Sequence, residues 1–175
     1  FEVFADLPRR GECEEREWTY VRKDGSRISV LLAVTATHDA LGRLDGFLGI
    51  ATDITERIRA EEHSRHVAGI VASSHDAILS KKLDGTILSW NPAAELLYGY
   101  TPAEAIGASV TMLIPPDRLS EEEDIIARIK SGESIDQFES VRVCKDGRLV
   151  DVSLTISAVR NIAGEIIGAA KIARD

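Results

Sequence analysis

Apolar and polar residues alternate along Arg148 to Val159, with Val150, Val152, Leu154 and Ile156 on one side and Asp151, Ser153, Thr155 and Ser157 on the other. That period of two predicts a strand with one buried face. Ile135 to Cys144 precedes it across a Lys145-Asp146-Gly147 turn, and Ile166 to Ala173 follows it after a turn at Asn161 to Gly164. Further upstream, Asp76 to Lys82 and Thr86 to Trp90 flank Asp84-Gly85, a hairpin signal.

Between these β segments the pattern turns helical. Asn91-Pro92 supplies an N-cap and a first-turn proline, Leu96 and Leu97 are expected to face the core, and Gly99 is placed to end the helix in a left-handed conformation. Thr101 with Glu104, and Ser120 with Glu123, read as capping boxes. Gly107 closes the first short helix, Pro115-Pro116 breaks the chain, and Ile125, Ile126 and Ile129 give the next helix one apolar face before Gly132 stops it. Two strands, a few short helices and three strands predict an α+β architecture: an antiparallel sheet with helices on one face.

The β pattern occurs twice. Val21, Lys23, Asp24 and Gly25 recur as Val143, Lys145, Asp146 and Gly147, a shift of 122 positions. The same shift superposes Val30 on Val152, Leu32 on Leu154, Gly42 on Gly164, Gly46 on Gly168, Ile50 on Ile172 and Asp53 on Asp175. Turn and core residues coinciding over such a span indicate tandem domains rather than short solenoid units. Residues 1–53 correspond to the back half of a domain, 54–66 to a linker, and 67–175 to a whole domain. The start reads as mid-domain, so the natural protein is expected to continue upstream.

In the first copy Ile28, Val30, Leu32 and Val34 form the inner face, whereas Leu31 and Ala33 stand where the second copy has Ser153 and Thr155. Extra apolar groups on an outer face invite a cover, either the linker helix or a partner chain; a tolerated exposed leucine is the equally weighted alternative. Ile54, Ile58, Val67, Ile70 and Val71 are apolar, but the segment between them is rich in Glu, Arg and His. A helix from Asp53 to about Ser73 is therefore expected to need a partner, docking near the second sheet and supporting a parallel homodimer. Asp53 is expected to cap its start.

Composition narrows the function. Hydrophobic residues make up 44% of the 175 residues, enough for a core without staples, and the two cysteines, Cys13 and Cys144, have no metal spacing. A net charge of −8 disfavours nucleic acid and anionic lipid as partners. The longest apolar run, Val30 to Val34, is far short of the roughly 20 residues of a membrane helix. No direct membrane contact and a reducing, cytoplasmic setting are expected.

The motifs together resemble the PAS family, of the S-box type. Gly85-Thr86-Ile87-Leu88-Ser89-Trp90-Asn91-Pro92-Ala93-Ala94-Glu95, then Leu97-Tyr98-Gly99-Tyr100-Thr101 with Glu104 and Ile106-Gly107, are similar to the front of such a domain. Gly132-Glu133, Lys145-Asp146-Gly147 and Gly164 match its back half, and Asp53-Ile54-Thr55-Glu56-Arg57 looks like its terminal signature. The resemblance implies a five-stranded antiparallel sheet with short helices around a small cavity. It also implies dimerisation, ligand binding or signal relay as function, within a larger protein whose effector domain is a histidine kinase or a diguanylate cyclase.

Each chemistry of that family needs particular residues. Covalent flavin photoadducts need a cysteine in a short motif after the Tyr-Gly-Tyr region, and Ala103 to Pro116 has none; Cys144 reads as a small half-buried hydrophobe. Haem is disfavoured because Leu119 to Lys130 lacks histidine, and Met112 beside Leu113 and Ile114 reads as core. His63 and His66, three apart, lack a third ligand and read as solvated; His75 leads into a strand, unlike a phosphoacceptor. No metal site and no catalytic residue are expected, and the acidic run Glu121 to Asp124 complements a helix dipole.

Noncovalent flavin or a small metabolite stays open. Ile78, Ile87, Leu97, Leu113, Ile125, Ile129, Leu154 and Ile156 are expected to line one interior, with Trp90 and Tyr98 able to offer polar tips. Trp90 reads first as an anchor for the end of its strand. Asp53, Thr55 and, by the repeat, Asp175 are the expected relay residues, passing a shift of the first sheet into the helix.

Overall fold

The computed structural model describes residues 14–175. Cys13 and the start of the chain lie outside the described residues. The chain divides into two compact units, the first ending at His66 and the second running Val67–Asp175.

The first unit holds a three-stranded antiparallel sheet, β1 (Glu14–Val21), β2 (Arg27–His38) and β3 (Leu44–Asp53), in the order β1-β2-β3. The second holds a five-stranded antiparallel sheet of β4 (Ala77–Lys82), β5 (Ile87–Trp90), β6 (Ile135–Val143), β7 (Leu149–Arg160) and β8 (Ile166–Arg174), in the order β5-β4-β8-β7-β6. Helix α1 (Thr55–Ser73) runs out of the first sheet and ends within the second unit. Helices α2 (Pro92–Tyr98), α3 (Pro102–Ala105) and α4 (Ser120–Lys130), with 3₁₀ turns at Val110–Leu113 and Pro116–Arg118, separate β5 from β6.

The sequence repeat is a repeat of hydrogen-bond register. Trp18 pairs with Val30 as Ser140 pairs with Val152, and Ala33 pairs with Ile50 as Thr155 pairs with Ile172. The turns agree too: Gly25 and Gly147 have φ of 83° and 84°, where a side chain would be strained, and Gly25 and Gly147 donate to the carbonyls of Arg22 and Cys144.

Local chemistry accounts for most element ends in the second unit. Asn91 caps α2 by accepting the Ala94 N–H, and Gly99, at φ 81°, ends it. The Glu104 carboxylate accepts from both the N–H and the hydroxyl of Thr101 at the start of α3. Two expectations are corrected. Leu96 is 85% exposed, because α2 turns it away from the sheet while Leu97 packs on the core. Ser120 does not cap α4: the preceding residue, Leu119, is already in the helical conformation after the Pro116–Arg118 turn, so no side-chain cap is made.

The core of the second unit lies between the inner face of the sheet and the helices. Leu79, Ile87, Tyr98, Val110, Leu113, Ile125, Ile129, Leu154 and Ile156 are all buried there. Burying a large aliphatic or aromatic side chain contributes about 1.5–3 kcal/mol each, so this layer dominates the unit's stability. Gly168 lets β8 approach β4 closely, since a Cβ there would collide with the Lys81 carbonyl.

Candidate functional site

The expected interior set is largely brought together. Ile87, Trp90, Tyr98, Leu113, Ile125, Ile129, Leu154 and Ile156 belong to one buried cluster, and Leu97 packs against it from its margin. Ile78 does not join them. The inward residues of β4 are Ala77, Leu79 and Lys81, so the alternation puts Ile78 on the opposite, half-buried face. Trp90 anchors the end of β5: its indole N–H donates to the Tyr100 carbonyl at 2.9 Å, and its ring stands 5.6 Å from that of Tyr98.

The interior also holds charge. Lys81 on β4, Lys171 on β8 and Arg142 on β6 are each at most 1% exposed. Each sits in phase with buried neighbours: Lys81 with Leu79, Lys171 with Ala169 and Ala173, and Arg142 with Ser140 and Cys144. Reading the strands by period could have found them, since a charged residue in step with buried positions is the informative exception.

These groups are partly paired by α4. The Lys81 ammonium donates to Glu122 Oε1. Arg142 Nη1 donates to Glu121 Oε2 at 3.0 Å, to Ser140 Oγ at 2.6 Å and to the Val141 carbonyl at 2.7 Å, while the Ser140 hydroxyl donates to Glu121 at 2.6 Å. Arg118 Nη1 reaches the other oxygen of Glu121 at 3.2 Å. The acidic run is therefore divided, with Glu121 and Glu122 turned inward as counterions and Glu123 left exposed.

Several buried polar atoms have no partner: Lys171 Nζ, Arg142 Nε and Nη2, Tyr98 Oη and Glu122 Oε2. Burial drives the Lys171 amine well below the ordinary lysine range, and the positive charges of Arg142 and Lys81 push it the same way, against Glu122 and Glu121. Burial also lowers Lys81, with Glu122 pulling it back up. The Tyr98 phenol is raised by burial, with Arg142 opposing. For Glu121 burial acts upward, but the Ser140 hydroxyl and the Arg142 guanidinium outweigh it and leave the carboxyl below its usual range.

A second constellation ties sheets to helix α1. At its start the Asp53 carboxylate accepts the Thr55 N–H at 2.9 Å. The Thr55 side-chain oxygen accepts the Ser29 N–H at 3.0 Å and stands 3.4 Å from the Ser29 carbonyl, which also accepts the Ile54 N–H at 2.9 Å. Thr55 hydrogen bonding and Arg22 charge keep the Asp53 carboxyl low, with hydrogen bonds the larger cause. At the far end, Asn91 donates to the Val71 carbonyl at 3.1 Å and to the Asp76 carbonyl at 3.0 Å, and accepts from Ile78 and Ala94. Nothing in the helix pattern revealed the Val71 link, which joins residues 20 apart in sequence. Asp175 is exposed beyond the end of β8.

Other candidates are placed without a site around them. His63 and His66 are exposed on α1, His75 is exposed before β4, and Met112 packs beside the core. Among the described residues no three His, Cys, Asp or Glu side chains group to hold a metal. Cys144 is buried, its thiol donates to the Leu97 carbonyl, and burial pushes its pKa up, the behaviour of a small packed side chain rather than a nucleophile. No helix among the described residues is long and apolar enough to cross a membrane.

Comparison with known proteins places these features in a family. A family model described as "PAS fold" matches residues 65–175, and another described as "PAS domain" matches residues 2–56. The signal transduction histidine-protein kinase AtoS of Escherichia coli (strain K12) is 27% identical over 137 residues, 77% of this chain and 22% of that protein. Phytochrome B of Arabidopsis thaliana is 24% identical over 160 residues, 83% of this chain and 14% of that protein. The chain thus spans less than a quarter of these relatives. The crystal structure of the PAS domain of a protein from Colwellia psychrerythraea aligns at a TM-score of 0.60 and 27% identity, covering 65% of this chain and 96% of that one.

Proposed function

Because the chain belongs to the PAS family, we propose that it is a tandem sensory segment of a larger signalling protein, relaying a signal rather than catalysing a reaction. In this reading residues 1–53 are the back half of a first PAS domain, 54–66 a helical linker and 67–175 a second PAS domain. The effector lies in the same polypeptide, a histidine kinase or a diguanylate cyclase, in the cytoplasm. Similarity to a sensor histidine kinase supports a multidomain setting.

The observation that carries the relay is the fastening of α1 at both ends. Asp53, the last residue of β3, holds the Thr55 N–H, Thr55 joins the first turn to Ser29 of β2, and Asn91 joins the last turn to the start of α2 and to β4. A helix held at both ends transmits rotation or tilt with little slack. A signal moves such an equilibrium only by binding one state better than the other. The exposed Val67 and Ile70 give α1 an apolar stripe for a second copy, which supports a parallel homodimer through the helix and the sheet face. Inserting one residue near His63 in the full-length protein rotates the helix phase by about 100°. Output is expected to fall or invert; unchanged output defeats the relay.

A second reading, small-molecule sensing by the second unit, is favoured by one observation. Buried hydrogen-bond donors in its interior have no partners.

A further inference from the structure

We propose that the interior of the second unit binds a small monocarboxylate between Arg142, Lys171 and Tyr98. The proposal rests on reading residues 67–175 as a ligand-sensing PAS domain and names the class of ligand.

The donor set selects the chemistry. Arg142 spends Nη1 on Glu121, Ser140 and the Val141 carbonyl, but leaves Nε and Nη2 unpaired. Those two atoms form the side-on fork of the guanidinium, whose parallel N–H groups match the two oxygens of a planar carboxylate. Lys171 Nζ and Tyr98 Oη add two more unpartnered donors, and both side chains are at most 1% exposed. The strand register sets Lys171 beside Lys81 on the inner face, and Lys81 and Arg142 hold the consecutive Glu122 and Glu121. Cys144 and Lys145, just past the end of β6 that carries Arg142, donate to the Leu97 and Tyr98 carbonyls at the end of α2, so the three groups belong to one region of the interior. Four buried donor atoms without acceptors form an arrangement that a bound acceptor would relieve.

Charge selects among anions. The buried cations are Lys81, Arg142 and Lys171, against the inward carboxylates Glu121 and Glu122. One positive charge remains once Lys171 is protonated, and a monoanion balances it. A dianion such as phosphate would overshoot in a low-dielectric interior. Burial and the charges of Arg142 and Lys81 disfavour the Lys171 ammonium, and an anion beside it favours that form. Lys81 from β4, Glu121 and Glu122 from α4, Tyr98 from α2 and Cys144 after β6 are titratable groups that also face this region.

The corresponding positions of the first copy, Tyr20 for Arg142 and Gly49 for Lys171, carry no charge. The site belongs to the second copy alone.

The test is titration calorimetry of the 175-residue chain with acetate and propionate, against phosphate and against sodium chloride at matched ionic strength. Saturable heat with the monocarboxylates and a rise in melting temperature of a few degrees are expected. Lys171→Met is expected to fold as well as the parent, since it replaces an unpaired buried amine by an apolar chain of similar length, and to lose the binding. Arg142→Lys, which keeps charge but loses the fork, is expected to weaken it by at least ~10-fold. No saturable monocarboxylate binding to the parent, equal binding by folded Lys171→Met, or preference for phosphate would each overturn the proposal. None of these results bears on the linker insertion, whose output is read in the full-length protein, so the two ideas fail separately.

Discussion

Three cations inside one small domain are affordable only because of where single side chains end. Lys81 reaches Glu122, and Arg142 reaches Glu121 through an Nη1 that also engages Ser140. Removing one partner of such a pair leaves a buried charge uncompensated, whereas replacing both by apolar groups is often neutral. Glu122→Ala is expected to destabilise the second unit by about 3 kcal/mol in urea unfolding, and Lys81→Met combined with Glu122→Leu to recover most of that loss. Asn91 is a second concentrated point, since one side-chain amide makes four hydrogen bonds, to Val71, Asp76, Ile78 and Ala94. Asn91→Ala removes a helix cap and strands several backbone groups at once. A loss of about 2–3 kcal/mol is expected, with faster amide exchange at Ile78 and Ala94 as the specific sign.

At the scale of elements, the joints matter more than the rods. Helix α1 has no fully buried residue, so its geometry is set at its ends. Thr55→Val keeps the shape of the side chain but removes the oxygen that accepts the Ser29 N–H. A cost of about 1 kcal/mol and faster exchange of the Ser29 amide are expected, with dampened output in the full-length protein. The β4–β8 seam depends on Gly168, where any Cβ meets the Lys81 carbonyl. Gly168→Ala is expected to push these strands apart and lower the melting temperature by several degrees, whereas Gly46→Ala in the first copy meets only the Thr37 hydroxyl, at 3.3 Å, and should cost less.

For the whole molecule, the buried lysines give stability a distinctive pH dependence. Their folded pKa values lie below the ordinary 10.5, so the unfolded chain binds more protons between the folded values and 10.5. Stability therefore rises with pH from the folded values toward that limit. Lys171→Met should flatten the rise, measured as urea midpoints against pH. At the acid end carboxylates act with the same sign. Glu104, held to about 2 by Lys145 and Thr101, contributes stability present above the ordinary 4.5 that is lost as pH falls toward 2, and the lowered Glu121 acts in the same direction. Lys145→Gln should move the acid limb of unfolding upward in pH.

Local signals along the chain determined the architecture: strands alternate with period two, Asp-Gly marks the turns, Asn91-Pro92 and Gly99 bound a helix, and a shift of 122 positions exposes the tandem copies down to their register. These are readable because they depend on neighbours within a few residues, or on the repetition of such patterns. The same logic found most of the interior, but it placed Ile78 and Leu96 on the wrong faces, where one residue of phase in a short element reverses the direction of a side chain. Only the tertiary structure decided that Lys81, Arg142 and Lys171 are buried inside, that Glu121 and Glu122 turn in to pair with two of them, and that Asn91 grips Val71. Those contacts join positions far apart in sequence, and the energy of a buried charge depends on partners that no local window contains.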